Sequence, residues 1–193
     1  MKLVVCLLAF AISIISGPEL FATPINYREQ VFASGLLGST AFSNALVTIS
    51  AYGDTGGMSG AGGLYTNFVS ADLTIAGVGA TSFTDAVYVF DNQGAIAAGV
   101  ADSTRGGSIL DTFDASFGTY DLTTSIGPIT GTSYIRPDLS FNTQAGLFTI
   151  GSAGDSTFTA EFTATPEPTT LALFGLGVAG LGFNWRRRKR AVL

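Results

Sequence analysis

Between Ile25 and Thr165 stand twelve carboxylates against three arginines (Arg28, Arg105 and Arg136); that span has no lysine, and the 193 residues contain no histidine. Hydroxyl groups are plentiful, but a serine nucleophile needs a neighbouring base, and neither imidazole nor amine is present to serve as one. Gly57-Met58-Ser59-Gly60-Ala61 narrowly misses the G-x-S-x-G elbow. It lies in a glycine-rich stretch, Gly53–Gly63, that reads as a surface loop; a phosphate cradle would need a following helix and usually a lysine. Paired carboxylates suffice for glycan hydrolysis, with Asp111, Asp114 and Asp121 as candidates, although these read better as loop or strand-edge acids. The single cysteine, Cys6, falls in the apolar N-terminal segment, which leaves no thiolate or imidazole for a metal in the middle of the chain. Calcium is the better metal guess, through Asp111-x-x-Asp114 or Asp91-Asn92, but neither fits the D-x-[DN]-x-[DN]-G pattern and no cofactor is expected. Tyr88, Phe90, Phe113, Phe117 and Tyr120 offer a sugar-stacking surface, though most such rings should fill a β-core.

The elements that must position these residues read as strands. In Thr157–Thr163 the residues Phe158, Ala160 and Phe162 alternate with Thr157, Thr159, Glu161 and Thr163, the period-2 signature of a half-buried strand. Ala86–Phe90 is continuously apolar and suggests a strand buried on both faces. Further strands are expected at Ala45–Ala51, Phe68–Ala76, Gly118–Thr123 and Gly146–Ile150. Turn chemistry punctuates them at Asp91–Gly94, Ser103–Gly107, Gly127-Pro128, Arg136–Asp138 and Gly151–Ser156. A short helix near Tyr27–Leu37 is the one helical alternative. The pattern predicts an all-β fold over residues 25–163, an antiparallel β-sandwich or jelly-roll-like domain.

Both ends carry different chemistry. Lys2 followed by the apolar run Leu3–Ile15 and a helix break at Ser16-Gly17-Pro18 reads as a secretory signal peptide over residues 1–22, with an uncleaved N-terminal anchor as the competing reading. At the other end, Pro166-Glu167-Pro168 fixes an extended, solvated strip. Leu171–Trp185 then gives 15 apolar residues, ~22 Å as a helix against a hydrocarbon core of ~30 Å. A short transmembrane helix of this kind costs only fractions of a kcal/mol per Å of mismatch, which suits a temporary anchor. Ala172, Gly175, Ala179 and Gly182 form one smooth face on that helix, fit for close approach of a second membrane helix or reflecting mere lack of bulk. Arg186, Arg187, Arg188, Lys189 and Arg190 form a cationic stop that keeps the C-terminus cytoplasmic and the domain outside. Gly175–Gly180 matches G-x-G-x-x-G, but too little chain follows for the rest of a dinucleotide site. The segment from Ile25 to Thr165 carries −9, which argues against a nucleic-acid partner.

The order PEP tripeptide, Gly-rich apolar stretch and Arg-rich end over residues 164–193 resembles the PEP-CTERM sorting signal of bacterial envelope proteins. That resemblance implies recognition by an exosortase-like membrane enzyme, cleavage near Pro166–Pro168, and passage through the inner membrane to the envelope or the extracellular space. Segments Tyr88–Gln93 and Thr124–Gly131 look like passengers seen with such tails, which implies no activity. The expected role is non-enzymatic, structural or adhesive, at the cell surface or in an extracellular matrix. The alternatives are a carbohydrate-binding module for matrix polysaccharide and a carboxylate-based glycan hydrolase.

Overall fold

In the first strand, β1 (Pro24–Leu37), Ile25, Tyr27, Glu29, Val31 and Ala33 are buried, while Asn26, Arg28 and Phe32 between them are exposed. Alternation of this kind turns one face of a strand inward, and the whole architecture follows from repeating it. The structure is a computed structural model and describes residues 22–163. The signal segment, the sorting motif Pro166–Pro168, the small-residue face, the apolar helix and the cationic stop lie outside the described residues.

The strands that follow are β2 (Thr40–Asp54), β3 (Met58–Ala61), β4 (Leu64–Ile75), β5 (Gly79–Ser82), β6 (Val87–Asn92), β7 (Ala97–Asp102), β8 (Gly107–Phe113), β9 (Ile126–Tyr134), β10 (Phe141–Thr143) and β11 (Gly146–Phe162). Eight of them pair antiparallel in the order β1-β2-β4-β6-β7-β8-β9-β11, and β11 returns to β1 along nearly its whole length, from Ile25↔Phe162 to Leu37↔Phe148. The fold is therefore an eight-stranded antiparallel barrel, with β3 and β5 laid on β4 and β10 on β11. The all-β expectation is met, but the sandwich or jelly roll is not: consecutive barrel strands simply meander, and the sheet closes on itself. Closure removes the two free edges that an open sheet would have to protect.

Other local expectations also change. The segment near Tyr27–Leu37 is strand, not helix. Val87–Asn92 is buried on one face only, with Tyr88, Phe90 and Asn92 partly exposed on the other. Gly118–Thr123 is not a strand; it belongs to a 3-10 turn (Ala115–Thr119) and a bend, set by Asp114, whose carboxylate accepts from the Ser116 N–H at 2.8 Å. Gly151–Ser156 is not a turn but the middle of the 17-residue β11, bulged against β1.

Two aromatic clusters fill the barrel. Phe158 meets Phe117 edge-on at 5.6 Å and lies near Tyr27 and Tyr120 at one end, where the loop after β8 drops Phe117, Tyr120 and Leu122 into the opening. Phe148 meets Phe42 and Phe83 toward the other end. The chain enters and leaves at the end closed by Phe117: the Thr163 N–H donates to the Pro24 carbonyl at 3.0 Å. The PEP tripeptide thus begins four residues beyond a strand end that is fixed to the start of the barrel.

Candidate functional site: the inner and outer faces of the barrel wall

The perturbed acids divide between the two faces of one wall. Inside, Glu29 is fully buried, and its Oε1 accepts from the Thr112 hydroxyl at 2.9 Å; that hydroxyl lies 2.7 Å from Ser156 Oγ. Burial pushes the Glu29 carboxyl well above its usual range, and the charge of Asp111 pushes it further, against the opposing hydrogen bonds from Thr112 and Val100. Asp91, also inside, has no hydrogen-bond partner among the described residues, and burial plus nearby Asp121 raises it to about 7. Tyr27 is pushed up to about 12 by burial, while Asn67, donating to its hydroxyl at 3.0 Å, works the other way. Glu29 and Tyr27 are thus hydrogen-bonded members of a packed interior, whereas the Asp91 carboxyl is buried there without a partner among the described residues.

Outside, the wall is shaped by what β7 lacks. Ala97, Gly99 and Ala101 point outward, paired with Asn92, Phe90 and Tyr88 on one side and with Phe113, Asp111 and Ser108 on the other. Their side chains are so small that the taller neighbours cover them, and all six residues of β7 are buried. The result is a trough along β7 with an aromatic bank on β6 and a polar bank on β8, about 260 Å³ in volume. On the aromatic bank Tyr88 and Phe90 stand 6.4 Å apart along β6, and Phe68 on β4 flanks Tyr88 at 5.7 Å, centroid to centroid. On the polar bank the Ser108 hydroxyl donates to Asp111 Oδ1 at 2.5 Å. Burial raises the Asp111 carboxyl to about 7 despite that bond. Gly99 is required here: a Cβ would strike the Leu110 carbonyl and approach Asp111 Oδ1 to 2.7 Å. A second depression, about 190 Å³, lies on β1, β2 and β11 between Arg28, Tyr52 and Glu161 and has no run of rings.

The residues singled out from sequence are scattered by the fold. Asp111 faces the outer wall, Asp114 caps the 3-10 turn, and Asp121 holds Thr123 at 2.5 Å, so the three do not converge. Asn92 caps its turn through the Ala95 N–H at 3.1 Å, while Asp91 points inward, so they share no ligand shell. Among the described residues no group of three acids could hold a metal ion. Phe117 and Tyr120 are core, Phe113 is half-buried, and Tyr88 and Phe90 are the two that reach the trough. Sequence reasoning missed Ser108 and Gly99; the signal for the trough was the run of small residues at 97–101, which looks featureless alone.

Comparison with curated proteins and with solved structures gives no match. Among the described residues no helix is long and apolar enough to cross a membrane, and the apolar run at 171–185 lies beyond them. Residues 164–189 match the family model of the PEP-CTERM protein-sorting motif, which implies export, membrane association and processing by an exosortase. The chain thus carries a PEP-CTERM sorting motif at residues 164–189, after a domain that is an eight-stranded antiparallel barrel.

Proposed function

We propose that the barrel is a non-enzymatic passenger, delivered to the envelope or the extracellular matrix, where it has a structural or adhesive role. The observation that carries this reading is the sorting motif directly after the last strand, with its PEP tripeptide four residues on, behind a barrel whose perturbed acids are turned to opposite faces of one wall. A carboxylate-based hydrolase needs two acids flanking one glycosidic bond. Glu29 inside and Asp111 outside do not supply that pair. The N-terminal segment acts as the export signal, and the apolar run holds an inner-membrane intermediate until cleavage near Pro166–Pro168. Cell fractionation with mass spectrometry of the mature C-terminus tests the route. The expected product lacks Arg186–Leu193 and is found in the envelope or the medium; full-length protein in every fraction contradicts it. Absence of turnover on a broad polysaccharide panel is expected for the purified protein, and sustained glycan cleavage would overturn the non-enzymatic part.

A second reading, a carbohydrate-binding module, is favoured by one specific observation. The Phe68–Tyr88–Phe90 row is the kind of surface on which pyranose faces stack, and it borders a trough with hydroxyl groups along it.

A further inference from the structure

We propose that the trough along β7 is a binding site for a neutral polysaccharide chain, with Tyr88 and Phe90 as the stacking bank and Ser108 as the hydrogen-bond acceptor on the other. This inference deepens the adhesive reading above and rests on it. The shape comes from the sequence: Ala101 forms a floor that a larger residue would fill, and Gly106-Gly107 line one end of the trough. Phe68, 59% exposed, stands beside Tyr88 across the β4–β6 pair and widens the aromatic bank on the side away from β7.

Charge and hydrogen-bond capacity select the ligand class. A hydroxyl has one proton to give, and that of Ser108 is committed to Asp111 Oδ1. Ser108 therefore has only lone pairs left for a ligand, which must donate there, as sugar hydroxyls do. No basic side chain lines the trough; the nearby Arg105 guanidinium is held 3.6 Å from the Asp85 carboxylate, and that of Arg136, close to Gly107, is paired with Asp138 at 2.8 Å. Burial raises the Tyr88 phenol, and the nearby carboxyls of Asp111 and Asp102 raise it further. An anionic chain such as a uronic acid polymer would meet these carboxyls, and the two nearby guanidiniums are already paired with Asp85 and Asp138.

The test is affinity electrophoresis and calorimetry on the protein recovered from cells, with a soluble neutral β-glucan, a neutral α-glucan and the acidic polymer alginate as probes. Wild-type protein is expected to bind a neutral glucan and not alginate. The double variant Tyr88→Ala/Phe90→Ala should weaken binding roughly ten-fold or more, and Ser108→Ala should weaken it less. Phe32→Ala, which removes a ring 57% exposed on the opposite wall, should change nothing. If the double variant melts early, Phe68→Ala serves in its place. Failure of wild-type protein to bind either glucan, equal loss in Phe32→Ala, or equal binding of alginate would overturn the proposal. Mass spectrometry of the mature C-terminus in the same strains separates the two readings. Normal processing without glucan binding sinks the site alone, whereas unprocessed wild-type protein sinks the envelope role beneath it.

Discussion

Alternate residues of β6 live in different worlds. Val87, Val89 and Asp91 face a packed interior, while Tyr88 and Phe90, one position away, lie half-covered along an outer trough. The interior side uses polar groups as neutral fillers: Glu29, Asp91 and Asn67 hold places in a packed core at the cost of raised acid pKa values or unpaired atoms. The outer side uses apolar groups in water, with a hydroxyl pre-oriented by a carboxyl across a floor of small residues. Polarity inside and rings outside invert the usual arrangement, and the inversion separates what keeps the barrel folded from what it can touch.

The contrast predicts a hierarchy of effects. Phe158→Ala removes the ring on which Tyr27, Phe117 and Tyr120 converge, and should cost about 3–5 kcal/mol in chemical denaturation. Little or no loss would mean that the loop after β8 is not a stopper.

The next effect is pH dependence. Glu29, Asp91 and Asp111 all hold protons more tightly in the folded barrel than in the unfolded chain. Their contribution to stability is complete below about pH 4, where both states are protonated. It is lost as pH rises, through about 7 for Asp91 and Asp111 and further still for Glu29. The melting temperature should therefore fall from pH 4 to pH 8, by the equivalent of a few kcal/mol. Exposed Asp114 and Asp138 are shifted the other way, by hydrogen bonds from Ser116 and Arg136, and oppose this trend only in stronger acid. Glu29→Gln should flatten the profile while retaining the hydrogen bond from Thr112; an unchanged slope would contradict the interior assignment.

Outer substitutions should be gentler. Tyr88→Ala is expected to cost about 1 kcal/mol of stability, because its ring is only partly buried, while removing most of any glucan binding. The smallest effect belongs to Ile96, a β-branched residue held at φ 51° and 44% exposed in the turn before β7. Ile96→Gly should raise stability by about 1 kcal/mol through relief of that strain; a drop would show that its packing against Gly118 outweighs it.

Much of this was legible in the sequence, unevenly. The sorting tail could be read because three devices lie in order within 30 residues, and the strand at Thr157–Thr163 because its alternation is uninterrupted. β1 was ambiguous because Glu29 occupies an inward position where an apolar residue would have completed the pattern. β7 was invisible because AAGVAD owes its place to taller neighbours on β6 and β8. Closure into a barrel depends on β1 meeting β11, more than a hundred residues away, and no local signal encodes a pairing of that range. Tyr88 and Phe90 were named as stacking rings from sequence, but their polar counterpart, Ser108, needed the register to be found.

The most direct measurement is an NMR titration of the processed protein with a neutral β-glucan oligosaccharide. Shifts confined to residues around 64–68, 88–92 and 99–108, with the amides of Glu29, Val31 and Phe158 unmoved, are the predicted result. Shifts centred on Arg28, Tyr52 and Glu161, or spread through the barrel interior, would contradict the division between a sealed inner face and a binding outer one.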